Sequence, residues 1–118
     1  MKLRRGNVAL CNVPLPSEEL RTFKRRPGVI VSKDSNNTRL DDVMIAVCTS
    51  NVSRSRESTQ YLIEGKEIVQ SGIKVPSVVK CESLLTITKS MILKVLGSLS
   101  KDGIQKVNQC LKDALELP

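Results

Sequence analysis

The sequence predicts a mainly β fold, a small β-barrel or half-barrel with a single α-helix packed on it at the C-terminus. Three observations lead there. Apolar, β-branched runs such as Gly28–Ser32, Val43–Cys48 and Ser77–Glu82 are short and are separated by polar, turn-forming stretches. Only the last segment carries a clear helical stripe. At 118 residues and 40% hydrophobic composition, the chain suits one compact domain spanning residues 1–118.

Asn7–Val13 alternates weakly and predicts a first strand, with Pro14-Leu15-Pro16 as a stiff exit. Ser17–Arg26 is polar and charged and reads as an exposed loop, followed by a short strand at Gly28–Ser32. Asp34–Asp42 predicts a second polar loop, with Asn36-Asn37 as turn formers. Val43–Cys48 is apolar throughout and predicts a strand buried on both faces, whereas Asn51–Thr59 predicts a mobile loop. Tyr61–Ile63 and Ile68–Val69 flank Glu64-Gly65-Lys66, the pattern of a hairpin or irregular connection. Ser77–Glu82 is the fifth strand, with Leu84–Thr88 as its partner after a tight bend, and Met91–Leu96 suits either a strand or a helical turn. Ser100 is a good N-cap for a helix over about residues 100–116. Its stripe is Ile104, Val107, Leu111, Ala114 and Leu115.

The net charge of +7 is unevenly placed. Between Met1 and Arg26 lie seven basic residues against two acidic ones, Glu18 and Glu19. Such clustering suits a polyanion, because phosphate contacts release counterions and steer association. The four cysteines, Cys11, Cys48, Cys81 and Cys110, are widely spaced and the chain has no histidine. That pattern argues against a zinc site and for buried free thiols in a reducing cytoplasm. No apolar stretch reaches the ~20 residues that span a bilayer, so no membrane partner is expected. Without histidine a serine-hydrolase triad is excluded. With only Phe23 and Tyr61 as aromatics, stacking of single strands on an aromatic platform is not supported.

Polar groups gather at the ends of the apolar runs: Arg26, Thr49, Ser50, Lys80 and Glu82. A guanidinium, two hydroxyls, an ammonium and a carboxylate form a set suited to cleaving a phosphodiester without metal or histidine. On the residues alone each has an ordinary reading as well. Lys80 and Glu82, two apart in a strand, share a face and suit a weak surface ion pair. Arg26, before Pro27, is held extended, yet it also belongs to the solvated basic run Lys24-Arg25-Arg26. Thr49 and Ser50 suit loop caps, and Phe23 suits a loop anchor or a base-stacking ring.

The wording and order of these fragments resemble the MazF/PemK (Kid-type) family, the endoribonuclease toxins of bacterial type II toxin–antitoxin pairs. The resemblance runs from Arg5-Gly6-Asn7 through Arg26-Pro27, Thr49-Ser50 and Val78-Val79-Lys80-Cys81-Glu82 to Gly97-Ser98-Leu99-Ser100. It implies an SH3-like barrel, commonly a homodimer, that cuts single-stranded mRNA at specific sequences with no cofactor or metal. Glu82 would then be the general base that activates the ribose 2′-hydroxyl. Lys80 would stabilise the phosphorane or act as the acid, while Arg26 and Thr49 hold the scissile phosphate. Ser50, Arg25, Lys24 and Phe23 would contact RNA nearby. The products would be a 2′,3′-cyclic phosphate and a 5′-hydroxyl. The implied protein partner is a cognate antitoxin, through which the pair binds DNA, and whose acidic and apolar tail fills the RNA groove. The chain departs from the family in having no histidine after its first strand and in carrying Leu85 where many members carry Arg or Lys. Two other readings fit a basic barrel: a gyrase-binding toxin like CcdB, and a non-catalytic nucleic-acid-binding protein.

Overall fold

The computed structural model describes residues 2–14, 22–53 and 57–118. Six strands form one antiparallel sheet: β1 (Asn7–Pro14), β2 (Phe23–Ile30), β3 (Asp42–Thr49), β4 (Gln60–Ile63), β5 (Ser77–Thr88) and β6 (Ile92–Ser98). Their order across the sheet is β4-β5-β3-β2-β1-β6. Helices α1 (Asp34–Arg39), α2 (Glu67–Ser71) and α3 (Lys101–Ala114) lie between or after them.

Strand alternation sorts the apolar residues into two cores, one on each face of the sheet. On one face Val8, Val29, Ala46, Cys48, Val79 and Cys81 pack against Val107 and Cys110 of α3. On the other, Ala9, Cys11, Ile30, Val43, Ile45 and Ile87 pack with Leu3 and Ile92. β3 supplies both cores, as its continuous apolar run predicts, although Met44 at its outer end is exposed.

The sheet is not a closed barrel. Among the described residues no ladder joins its end strands β4 and β6. Helix α2 stands in that gap instead, with its backbone directly on β6. A Cβ on Gly97 would meet the carbonyl oxygen of Gln70 at 2.3 Å, and one on Gly72 would meet that of Leu96 at 2.2 Å. Gly72 also ends α2 in the left-handed region, at φ 75°. This close approach gives a physical role to the glycine of the Gly97-Ser98-Leu99-Ser100 step.

Several local expectations change. β2 begins at Phe23, inside the expected loop, because Phe23 to Val29 all pair with β1; residues 17–21 of that loop lie outside the described residues. Asp34–Arg39 is a short helix rather than a loop, organised by buried Asn37, whose amide donates to the Ser32 carbonyl at 3.0 Å. Ile68–Val69 belongs to α2, not to a hairpin arm. Leu84–Thr88 does not fold back on Ser77–Glu82. Both stretches pair with β3 and form one long strand with an interruption between them. Met91–Leu96 resolves into a 3-10 turn at Lys89–Met91 followed by β6. Within the expected Asn51–Thr59 loop, residues 54–56 lie outside the described residues.

Helix α3 is capped as predicted, with the Gly103 N–H donating to Ser100 Oγ at 3.0 Å. Ile104, Val107, Leu111 and Ala114 face the core, joined by Cys110. Leu115 instead stands 52% exposed at the C-cap, because the helix ends at Ala114.

Candidate active site

The ladders place the predicted residues on two faces. Arg26 pairs with Cys11 and so shares the face of that buried thiol, while Arg25 pairs with Asn12 on the opposite face. The β2–β3 ladder runs from Ile30↔Ile45 to Gly28↔Val47, and one further step in the same register sets Arg26 opposite Thr49. Thr49 pairs with Val78 of β5, and Lys80, two residues on, pairs with Gln60 of β4. Arg26, Thr49 and Lys80 therefore fall on one face, along one end of three adjacent strands. No side-chain hydrogen bond or ion pair among the described residues links them to one another.

Glu82 sits where regular pairing fails. Val79 pairs with Cys48, but the next β5 residue to pair with β3 is Leu84, with Ala46, so Lys80–Ser83 bulges opposite Val47. Val79 and Cys81 remain buried at 0% and 1% exposure, which turns Glu82 outward. The expected ion pair with Lys80 is absent among the described residues. The carboxylate instead accepts from the Thr59 hydroxyl at 3.0 Å and the Gln60 amide at 2.6 Å. Partial burial pushes its pKa up, but hydrogen bonds from Gln60, the backbone and Thr59, with the Lys80 charge, outweigh it and hold Glu82 below the usual carboxylate value. The group is therefore ionised at neutral pH, and its exposed carboxylate can accept a proton.

Thr49 accepts a hydrogen bond from the Asn51 N–H at 3.2 Å, so its oxygen also shapes the following loop. Ser50 is exposed and faces the other way. It lines a groove of about 410 Å³ with Lys24, Arg25, Arg26, Lys74 and Lys94. Phe23 is 50% exposed at the start of β2 and is not part of that lining.

Sequence reasoning missed Thr59 and Gln60, which hold Glu82, because only the β4–β5 register brings them together. It also missed Lys74 and Lys94, isolated lysines that only the fold carries to Arg25. The four cysteines are buried free thiols. Burial pushes Cys48 and Cys81 up to about 12 and Cys11 up to about 11, which leaves them as inert packing groups at neutral pH. Among the described residues no cluster of three or more His, Cys, Asp or Glu could hold a metal ion. No helix there is long and apolar enough to cross a membrane.

A family model described as PemK-like, MazF-like toxin of type II toxin–antitoxin system matches residues 4–115. Among solved structures, an endoribonuclease from a mycobacterial species superposes with a TM-score of 0.79 at 22% identity, covering 100% of this chain and 95% of its own. A mycobacterial endoribonuclease in complex with its cognate antitoxin gives 0.79 at 22% identity, covering 98% and 97%. MazF from Deinococcus radiodurans gives 0.77 at 17% identity, covering 98% of each chain. At these identities the likeness establishes the fold.

Proposed function

We infer, from the fact that this chain belongs to the PemK-like, MazF-like toxins of type II toxin–antitoxin systems, that it is a sequence-specific endoribonuclease acting on single-stranded mRNA. The observation that carries this reading is the single sheet face shared by Arg26, Thr49 and Lys80, with Glu82 at the adjoining break in β5. Glu82 takes the proton from a ribose 2′-hydroxyl, and the 2′-oxygen attacks the neighbouring phosphorus. Arg26 and Thr49 hold the phosphoryl oxygens as negative charge develops. A planar guanidinium can fork two of those oxygens, which an ammonium cannot. As the bond from phosphorus to the 5′-oxygen breaks, Lys80 donates to the leaving oxygen. The products are a 2′,3′-cyclic phosphate and a 5′-hydroxyl, and no metal or cofactor takes part.

The single domain of residues 1–118 works as a homodimer in the cytoplasm, silenced by a cognate antitoxin with an acidic and apolar tail. The reading is supported by the complex of a similarly folded mycobacterial endoribonuclease with its antitoxin. Incubating the purified protein with mixed-sequence single-stranded RNA, and mapping fragments at nucleotide resolution, tests it. Discrete cuts at a short recurring motif are expected. Binding without cleavage would return the chain to a plain basic RNA-binding protein.

A further inference from the structure

We propose that the groove bordered by the start of β2, Ser50 and the two lysines Lys74 and Lys94 is a second RNA seat, gripping the phosphodiester backbone beside the cut, with Lys74 and Lys94 as its phosphate anchors. This rests on the endoribonuclease reading for the identity of the polyanion. The groove gathers five cationic residues, Lys24, Arg25, Arg26, Lys74 and Lys94, and among the described residues no acidic one lines it. None of the five forms an ion pair among the described residues. They come from three separate parts of the chain: β2, the segment between α2 and β5, and the sheet-edge strand β6. A run of solvated charge within one segment needs no partner, but convergence of three segments on one concavity concentrates positive potential there.

The floor fits a backbone better than bases. Leu10, Pro27, Ile73 and Leu96 are aliphatic, Ser50 adds an exposed hydroxyl, and among the described residues no aromatic ring lines it for stacking. The groove should therefore bind without reading sequence, leaving base discrimination to the surroundings of the cut. Arg26 lines the groove and is also placed by its register on the face of Thr49, so one strand of RNA can pass from the groove over the end of β2 and β3 to the reacting groups. Fixing the strand on one side of the cut converts tethering into alignment of the scissile phosphate.

The test measures binding of a fluorescein-labelled, mixed-sequence 2′-O-methyl RNA, which cannot be cut by 2′-hydroxyl attack, across a salt series. Each phosphate contact contributes about −0.7 to the log–log salt slope for a single strand, so Lys74→Gln with Lys94→Gln should lower the slope by about 1.4. Lys101→Gln with Lys106→Gln removes the same net charge from α3, outside the groove, and should leave the slope unchanged. Equal loss in both double variants, or no loss in the groove variant, overturns the proposal. So does a native protein that binds the matching DNA strand more tightly than the RNA. Cleavage of unmodified RNA by the native protein is scored separately. A lysine-dependent slope with no cleavage supports the groove and overturns the endoribonuclease reading. Cleavage with a lysine-independent slope overturns the groove alone.

Discussion

Two glutamates flank β4, and their surroundings differ in a way that separates architecture from chemistry. Glu67, on α2, lies at the N-terminus of α3 and is half-buried. It accepts from the Ser100 N–H at 3.0 Å and the Ser100 hydroxyl at 2.7 Å, and its other oxygen accepts from the Tyr61 hydroxyl. Burial, followed by this bond to Glu67, drives the Tyr61 pKa well up, so the phenol stays a donor at all physiological pH. Gly103 lies directly beneath, and a Cβ there would meet Glu67 Oε2 at 2.2 Å and displace the carboxylate from this position. Three hydrogen bonds tie that carboxylate to Tyr61 and Ser100, and the helix dipole favours its charge. Glu82 is held by two side-chain donors on one side and is open on the other, in a stretch where β5 has left its ladder. A carboxylate shared between Tyr61 and the cap of α3 fastens elements together. A carboxylate with an open side, on an interrupted strand, is the one the proposed reaction uses to exchange a proton.

The largest effect expected from this contrast is on cleavage. Glu82→Gln keeps size and one acceptor oxygen but not basicity, so single-turnover cleavage should fall about 10²- to 10⁴-fold while RNA affinity holds. If cleavage persists at the native rate, Glu82 is no base and the contrast collapses. Next comes Arg26→Ala, which removes charge from both ground and transition states. About 10²- to 10³-fold loss of cleavage should accompany weaker RNA binding, with the binding deficit shrinking as salt rises. A loss of turnover with unchanged affinity at low salt would move Arg26 from phosphate contact to a role in β2 alone.

Glu67→Ala should invert the pattern. Losing a cap and its partners costs about 1 to 2 kcal/mol, readable as a lower melting temperature by calorimetry, with cleavage per folded molecule retained. Unchanged stability would show that Ser100 alone caps α3. The smallest effect is on pH. Because Glu82 is held below its ordinary value, its base form persists as pH falls, and the acidic limb of the cleavage profile should lie below the usual glutamate range. Gln60→Ala removes the leading stabiliser of the charged form and should move that limb to higher pH. A limb that stays in place means another group controls it.

The fold class was legible because burial imposes alternation on strands and a stripe on α3. β1, β3 and the Ser100 cap follow from it. The helices α1 and α2 were not legible. They are one or two turns long, too short for periodicity, and depend on tertiary contacts such as buried Asn37 and the bare backbones of Gly72 and Gly97. The open seam of the sheet was not legible for the same reason, since α2 lies where a β4–β6 ladder would close the expected barrel. Of the site, Arg26, Thr49, Lys80 and Glu82 could be named from strand-end position and motif. The pairing of Arg25 with Asn12 could not, and it splits adjacent arginines between two faces. Gln60, Lys74 and Lys94 carry no local signature, because their positions come from the register of β4 on β5, the segment between α2 and β5, and the return of β6 beside β1.

The most direct test of the central claim is the chemistry of the ends produced when the purified protein meets single-stranded RNA in excess chelator. Attack by a 2′-hydroxyl activated by Glu82 predicts cleavage undiminished by chelation, fragments ending in 2′,3′-cyclic phosphate and 5′-hydroxyl, and no cutting where the nucleotide before the scissile phosphate is 2′-deoxy. Cleavage abolished by chelator and restored by magnesium, with 5′-phosphate ends or with the 2′-deoxy substrate cut equally well, would contradict it.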